Sequence, residues 1–420
     1  MVEQDPRKSS EAAPLSGIRV LEIGSYIAGP FCGTQLGDLG AEVIKIEDPK
    51  GGDHMRDYGP YVNGESSAFI RTNRNKKSFA VDLKTPEGVK LVLDLVLSAD
   101  ILVENMRPGT MQRLGLGYEM LRGLNAGLIY VAASGWGQDG KLAGLAGLDI
   151  MAQARSGIMS VTGQPEGGPA KAGVPLCDVM CAIYGALGAV AALRARELTG
   201  EGQMIDVSLF ETGVSFAQWE AGRYFATGEI PRRNGSVHGS SAPYQAFRSA
   251  DGWFTLGAPN ARAWRALCQT LDRQDLAQDP RFGDENERFA NRAVLASEIE
   301  RTTSNRPTAQ WIAALQLAGV PCAPIHDYDH VFHDSALEER NFFWDAPHAT
   351  AGMVRQLGSP MRFSRTPTRR ESAGPLLGEH TRQIMRELGR SVDELDRLAA
   401  AGVIKVGGSP VNDQRSVEGR

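Results

Sequence analysis

Asp178 lies in residues 171–198, KAGVPLCDVMCAIYGALGAVAALRAREL, where a Gly-Val-Pro turn runs into a series of small residues. Ala182, Gly185, Ala186, Gly188, Ala189, Ala191 and Ala192 mark a helix able to pack tightly. An Asp at a helix start accepts the unpaired N–H groups of the first turn and sits at the favourable end of the helix dipole. A positioned, ionised carboxylate can also attack a carbonyl carbon. The residues alone leave cap, nucleophile, or both.

A second group is cationic. Residues 71–78, RTNRNKKS, place Arg71, Thr72, Asn73, Arg74, Asn75, Lys76 and Lys77 together. Such a run is either a solvated face or a phosphate site, since Arg and Lys supply the charge and donors that phosphate needs. A third group follows apolar runs that read as strands. Asn105, Met106 and Arg107 lead into Pro108-Gly109, with Arg113 beyond. Gly135-Trp136-Gly137 follows LIYVAAS. Ligands of open α/β sheets gather at the carboxyl ends of strands, so both turns are site candidates.

Other chemistries lack their motifs. The first strand ends in Gly24-Ser-Tyr-Ile-Ala-Gly29 rather than GxGxxG, so a dinucleotide fingerprint with Glu47 as ribose partner is unsupported. There is no GxSxG elbow and no GxxxxGK[ST] loop. His326, His330 and His333 stand among Asp327, Asp329 and Asp334 without a recognised metal spacing, so no metal is expected. Cys32, Cys177, Cys181, Cys268 and Cys322 are scattered, with no CxxC pair, and read as packing residues in a reducing, cytoplasmic setting.

The elements that must carry these residues alternate. Residues 17–24 read as a strand, 29–40 as a helix and 41–47 as a strand, a βαβ unit with a right-handed crossover. Strands at 79–83, 101–104, 128–134 and 204–209 alternate with helices at 85–99, 149–163, from Asp178 to 198, and at 210–227. The expected architecture is a Rossmann-like α/β large domain on a parallel sheet. Residues 1–15 and 406–420 read as disordered tails, 16–227 as the first part of the large domain, and 228–243 as a Gly/Ser/Pro-rich linker or mobile loop. Residues 244–332 read as a smaller α+β domain, and 333–405 as a linker returning to the large one. With 420 residues, two domains are expected. A net charge of −5 argues against general nucleic-acid binding. The apolar run 182–193 is too short for a bilayer, so no membrane association is expected.

Several stretches in order resemble one family: GIRVLEIGSYIAGPFCGTQLGDLGAEVIKIEDPKGGD, NRNKKSFAVDLKTPEG, ADILVENMRPG, SGWGQDG, GLDIMAQARSGIMSVTG, AGVPLCDV and GVPCAPIHDYDHVFHD. Over about residues 15–390 the chain resembles the class III coenzyme A transferases, which include formyl-CoA, carnitine-CoA and benzylsuccinate-CoA transferases. The resemblance implies transfer of CoA between carboxylic acids with no permanently bound cofactor, a coenzyme A thioester being the substrate. Asp178 then becomes the nucleophile, forming an aspartyl anhydride and then an enzyme-CoA thioester. The resemblance assigns CoA contacts to Ile27 and Ala28, to Asn73 through Lys77, to Asn105 and to Arg113. It implies an interlocked homodimer, or pairing with a paralogous subunit.

Two departures stand out. Some relatives carry Arg after the second strand, where this chain has Asp48. The small-domain glycine-rich loop corresponds to Leu256-Gly257-Ala258-Pro259-Asn260, which has one glycine. Related α-methylacyl-CoA racemases use a His before Asp149; here Leu148 cannot move a proton, which favours transfer over isomerisation. The free N–H groups at the helix start behind Asp178 are expected to stabilise an oxyanion. Acid selectivity falls to Tyr26, Tyr58, Trp136, Arg155, Trp219, Arg223 or His238, of which Arg155 and Arg223 point to a dicarboxylate.

Overall fold

The computed structural model describes residues 13–407. They fall into two compact units. One holds the chain through Ile158, Ala172–Gln218 and the chain from Ala336; the other holds Met159–Lys171 and Trp219–Ser335.

In the first unit the strands are β1 (Arg19–Ile23), β2 (Glu42–Glu47), the short pair β3 (Tyr61–Val62) and β4 (Glu65–Ser66), β5 (Lys76–Val81), β6 (Ile101–Glu104), β7 (Ile129–Ser134) and β8 (Met204–Ser208). Between them run α1 (Ala28–Asp38), α2 (Ser67–Thr72), α3 (Pro86–Val96), α4 (Thr110–Arg113), α5 (Tyr118–Leu124), α6 (Asp149–Arg155), α7 (Ile158–Val161), of which Met159 onward belongs to the second unit, α8 (Leu176–Thr199) and α9 (Leu209–Ser215). The second unit contains α10 (Gln218–Thr227), β9 (Tyr244–Arg248), β10 (Trp253–Gly257), α11 (Ala261–Thr270), α12 (Gln274–Gln278), α13 (Glu285–Ala290), α14 (Arg292–Thr303), α15 (Thr308–Leu317), β11 (Cys322–Pro324) and α16 (Tyr328–Phe332). The chain then forms α17 (Ser335–Glu339), the hairpin β12 (Phe343–His348) and β13 (Gly352–Leu357), α18 (Thr381–Glu387), α19 (Val392–Ala400) and β14 (Ile404–Lys405).

The main sheet has seven strands in the order β14-β5-β2-β1-β6-β7-β8. All pairings are parallel except β14 against β5. Alternation along each strand sorts the core into two faces. Leu21, Ile44, Phe79 and Leu102 face Leu91 and Leu95 of α3 and Ile384 of α18. Val20, Val43, Ile101 and Val131 face Cys32 and Leu36 of α1 and Ala182, Ala186 and Ala189 of α8. The small residues of α8 allow that approach: a Cβ on Gly185 would lie 3.2 Å from Val131 Cγ1 and 3.3 Å from Cys32 Sγ.

Several expectations need correction. The tail was expected to run through residue 15, but Leu15 is buried and its N–H donates to Leu39 O at 2.8 Å. Residues 1–12 and 408–420 lie outside the described residues, whereas Gly407 N–H donates to Gly378 O at 2.9 Å. The helix expected over 149–163 is broken at Gly157, where φ is 92°, and that over 210–227 is split into α9 and α10. Segment 228–243 is tied into the second unit: Gly235 N–H donates to Gly163 O at 2.9 Å, and Arg233 Nη2 donates to Gly167 O at 3.1 Å. These bonds explain why 159–171 separates from the large unit although its sequence reads continuously with it. The hairpin β12–β13 was not expected; its core contacts come from single residues such as Ala346 and Val354.

The membrane argument from length also fails. With 24 residues, α8 is long and apolar enough to cross a bilayer by length and composition. One side of it is nevertheless packed against β7 and α1, as in a core helix.

Candidate active site

Asp178 is the third residue of α8, not its cap. The residue before the helix is Pro175, which has no side chain able to cap it. The cap comes from another helix. Asp149, first residue of α6, accepts from Cys177 N–H at 2.8 Å and from Asp178 N–H at 3.2 Å through Oδ1. Its Oδ2 accepts from Gln153 Nε2 at 2.6 Å, and the buried Gln153 in turn accepts Ala172 N–H at 2.8 Å. Asp149 is thus locked in place, and Asp178 is relieved of capping.

The Asp178 carboxylate has no hydrogen-bond partner among the described residues, and its side chain is only partly exposed. Burial raises its pKa to about 7, and the neighbouring Asp149 charge adds to the rise. An unpaired carboxylate poised near neutrality differs from a structural one, which would be hydrogen-bonded and low.

The expected oxyanion donors are not at α8. Leu176 N–H goes to Val174 O at 2.8 Å and Val179 N–H to Pro175 O at 3.0 Å, and Asp149 takes the two between. The free donors belong to α1 instead. Ala28 and Gly29 open that helix, and their N–H groups have no acceptor among the described residues. Ala28 packs in one cluster with Cys177, Cys181, Ala152 and Leu209. The N-terminus of α1 therefore lies beside that of α8. Ile27, the residue before α1, is half-buried and accepts Phe31 N–H at 2.7 Å.

Around these helix starts the strand ends form a floor. Asn105 ties β6 to the β1 loop by accepting Ser25 N–H at 3.0 Å and donating to Ser25 O at 2.9 Å. This explains two glycines: a Cβ on Gly24 would lie 2.3 Å from Asn105 Oδ1, and one on Gly29 would lie 2.9 Å from it. Met106 N–H donates to Glu104 at 2.6 Å, while Arg107 and Arg113 are exposed. Gly135 and Trp136 are half-buried; Gly137, buried with φ 97°, donates its N–H to Ser134 Oγ at 2.9 Å. A cavity of about 520 Å³ opens here, with Gly24, Ser25, Asp48, His54, Lys84 and Met106 among its lining residues.

The NRNKK run faces inward. Asn73, Arg74, Asn75 and Lys76 are buried. Arg74 is paired with Asp38 at 2.5 Å, and Asn75 donates to Asp38 at 3.0 Å and accepts from Glu371 N–H at 3.0 Å. Lys76 meets Glu22 at 2.7 Å, Pro30 O at 2.6 Å and Asn73 Oδ1 at 2.7 Å. Lys77 pairs with Glu42 at 2.5 Å, and Thr72 O accepts from Thr34 Oγ1. Their side chains are committed to internal partners because the run enters a central strand, where charge must be paired.

Sequence reasoning missed the rest of that network. Lys45 contacts Glu22 at 2.7 Å, Asp53 at 2.8 Å and Gly24 O at 2.9 Å, with no solvent exposure. Burial opposes its charge, but Asp53 and Glu22 outweigh it and raise its pKa. Asp53 also accepts Tyr26 N–H at 3.1 Å, holding Tyr26 at φ 67° beside His54 and Tyr58. Glu47, once a ribose candidate, is buried and bonded twice to Arg56 at 2.8 Å. The signal was in EVIKIE, where Lys45 stands between Ile44 and Ile46 in a strand that is buried on both faces.

In the second unit, Gly257 ends β10 and Asn260 caps α11 by accepting Ala263 N–H at 2.9 Å. Arg223 pairs with Glu229 at 2.8 Å, and His238 stacks on Tyr244 at 4.6 Å. His330 bonds Asp327 at 2.6 Å, and no group of three or more His, Cys, Asp or Glu among the described residues could hold a metal.

The fold and site define an α/β protein with a mainly parallel sheet and an unpartnered carboxylate, raised toward neutrality, at the sheet's carboxyl edge. The family model described as CoA-transferase family III matches residues 15–381, and the chain belongs to that family. It is 36% identical to succinyl-CoA:glutarate CoA-transferase of Mus musculus over 395 residues, covering 93% of this chain and 90% of that protein. It is 38% identical to acetyl-CoA:oxalate CoA-transferase of Acetobacter aceti, covering 92% of this chain and 98% of that one. The crystal structure of a CAIB/BAIF family protein from Brucella suis aligns with a TM-score of 0.83 at 37% identity, covering 90% of this chain and all of that one. The protein is a family III CoA-transferase, an enzyme acting on CoA thioesters and carboxylic acids.

Proposed function

We propose that the protein moves CoA from an acyl-CoA, such as succinyl-CoA or acetyl-CoA, to a carboxylic acid through covalent intermediates on Asp178. The observation that carries this is the Asp178 carboxylate itself, unpartnered and poised near neutrality beside the free N–H groups of Ala28 and Gly29.

In the first step a carboxylate oxygen of Asp178 attacks the thioester carbonyl carbon. The C–S bond breaks, leaving a mixed aspartyl anhydride and CoA thiolate. The thiolate then attacks the aspartyl carbonyl, forming an enzyme-CoA thioester and expelling the donor carboxylate. The acceptor carboxylate attacks that thioester and the sequence runs backwards, so no net proton is taken up. Each tetrahedral intermediate carries an oxyanion, for which the Ala28 and Gly29 N–H groups are suited donors. A carboxylate is a weak nucleophile, so catalysis rests on position and exclusion of water.

The CoA nucleotide is assigned to the cavity at the ends of β1, β2 and β6, with Lys84, Arg107 and Arg113 as the available cations. Ile27 and Ala28, Asn105 and Met106, and Gly135 to Gly137 line the path of the CoA arm. Thr72 to Lys76 support that floor from below rather than touching the phosphates. Two copies of the chain form the working unit, supported by the exposed apolar side of α8, where Ile183, Tyr184, Leu187 and Val190 face away from the sheet. Five free cysteines fit the reducing cytoplasm.

Asp178→Ala should lower turnover by about a thousandfold or more while the circular dichroism spectrum stays native. Hydroxylamine trapping during turnover should mark residue 178. Retained turnover in the Ala variant, or labelling at another side chain, would refute the role.

A further inference from the structure

We propose that Arg155 is the counter-ion for the distal carboxylate of a dicarboxylic acid substrate; this rests on Asp178 engaging the reacting carboxyl group as described above. Arg155 closes the helix that Asp149 opens. At 1.5 Å per residue it stands about 9 Å along α6 from the residue that caps α8. Its guanidinium carbon lies 5.9 Å from the Trp136 ring and 5.7 Å from the Phe210 ring, and these rings are 5.8 Å apart and tilted by 58°. The rings are held by the backbone: Trp136 Nε1 donates to Ala146 O at 3.1 Å, and Phe210 N–H donates to Gly135 O at 3.2 Å. Trp136 belongs to the turn after β7 and Phe210 to the helix after β8, both at the carboxyl edge where Asp178 sits.

Arg155 differs from the other arginines of the unit in the two rings that flank it. Arg19, Arg56, Arg74, Arg196 and Arg390 each pair with a carboxylate, whereas the exposed Arg107 and Arg122, like Arg155, have no carboxylate partner among the described residues. Arg155 has no hydrogen bond and no ion pair among the described residues, only its two rings. A guanidinium resting on aromatic faces keeps its N–H fork free and oriented, which suits bidentate capture of a carboxylate. Arg155 is exposed, and it differs from the other exposed arginines in its two flanking rings and in its place on α6, the helix that carries the capping Asp149. On this proposal a short aliphatic dicarboxylate places one end at Asp178 and the other at Arg155, while a monocarboxylate of equal length leaves the guanidinium unengaged.

The test compares wild type, Arg155→Met and Arg155→Lys with glutarate and with pentanoate as acceptors, using succinyl-CoA as donor. KM for glutarate should rise about 10- to 100-fold in the Met variant. Pentanoate kinetics should be unchanged, and Lys should restore part of the loss. Equal loss on both acids, no change with glutarate, or a wild type that favours pentanoate would each overturn the proposal. Hydroxylamine labelling of residue 178 is read in the same samples. Label at 178 with an unmoved glutarate KM sinks Arg155 alone, whereas absence of label in wild type sinks the Asp178 mechanism itself.

Discussion

Two acid clusters, one buried and one half-buried, lie at the carboxyl edge of one sheet, and they have opposite characters. Around β1 and β2, Glu22 and Asp53 are matched by Lys45 and Lys76, and Glu47 by Arg56. At the start of α8, Asp149 faces only backbone and amide donors, and Asp178 has no partner among the described residues. Paired charges pull each other toward the ionised form and hold the loop carrying Tyr26 in place. The unpaired carboxylate resists ionisation and stays reactive. Architecture and chemistry are thereby assigned to different acids within one layer.

Removing a cation from the paired cluster is the harshest way to break this contrast. Lys45→Met leaves Glu22 and Asp53 short of a counter-charge in a fully buried site. The expected cost is about 3–5 kcal/mol of unfolding free energy, read by urea denaturation at neutral pH. A cost below about 1 kcal/mol would mean that the cluster is not acting as a paired unit.

How far these two clusters could be read in advance differs for physical reasons. Strands such as ILVE and LIYVAAS were legible because burial on both faces of a parallel sheet requires continuous apolar runs. Asp178 was legible because a helix of small residues behind a Gly-Val-Pro turn is a local pattern. Its freedom from capping was not, because the cap comes from Asp149, 29 residues earlier, across a tertiary contact. The inward turn of Asn73 to Lys76 was hidden for a similar reason. A run of cations looks solvated until Glu22 and Asp38, from distant segments, are placed against it. The partnerless state of Arg155 is likewise a property of three dimensions, since Trp136 and Phe210 reach it from separate strand ends.

A milder change sharpens the contrast on the unpaired side. Asn in place of Asp149 keeps an oxygen for the Cys177 and Asp178 N–H groups but removes the negative charge. Wild-type turnover should rise as pH climbs through about 7, where Asp178 becomes a carboxylate. In Asp149→Asn that acid limb should move to lower pH, though not to the value of an exposed Asp, because burial is the larger cause of the elevation. The pH dependence of kcat/KM for both proteins reads this directly. An unmoved limb would remove Asp149 from the electrostatics of the site and leave it as a cap alone.

The smallest expected effect is on stability, and its sign separates a reactive acid from a structural one. Asp178 has a folded-state pKa of about 7 against an ordinary 3.8, so the native chain binds its proton more tightly than the unfolded chain does. Below about pH 4 both states are protonated, and the residue is neutral in its effect. As pH rises toward 7 the unfolded chain ionises first, and stability is lost until the native carboxylate ionises too. Above that point the penalty is constant. Asp178→Asn cannot ionise, so it should match wild type near pH 4 and exceed it above pH 7. The gap between the two pKa values corresponds to about 4 kcal/mol without screening. With the side chain partly in contact with solvent, about 1–2 kcal/mol is expected. Thermal melts of both proteins between pH 4 and 8 measure the difference. An Asn variant less stable than wild type at pH 8 would show that Asp178 is held by a favourable partner, and its role would then resemble that of Glu22 and Asp53.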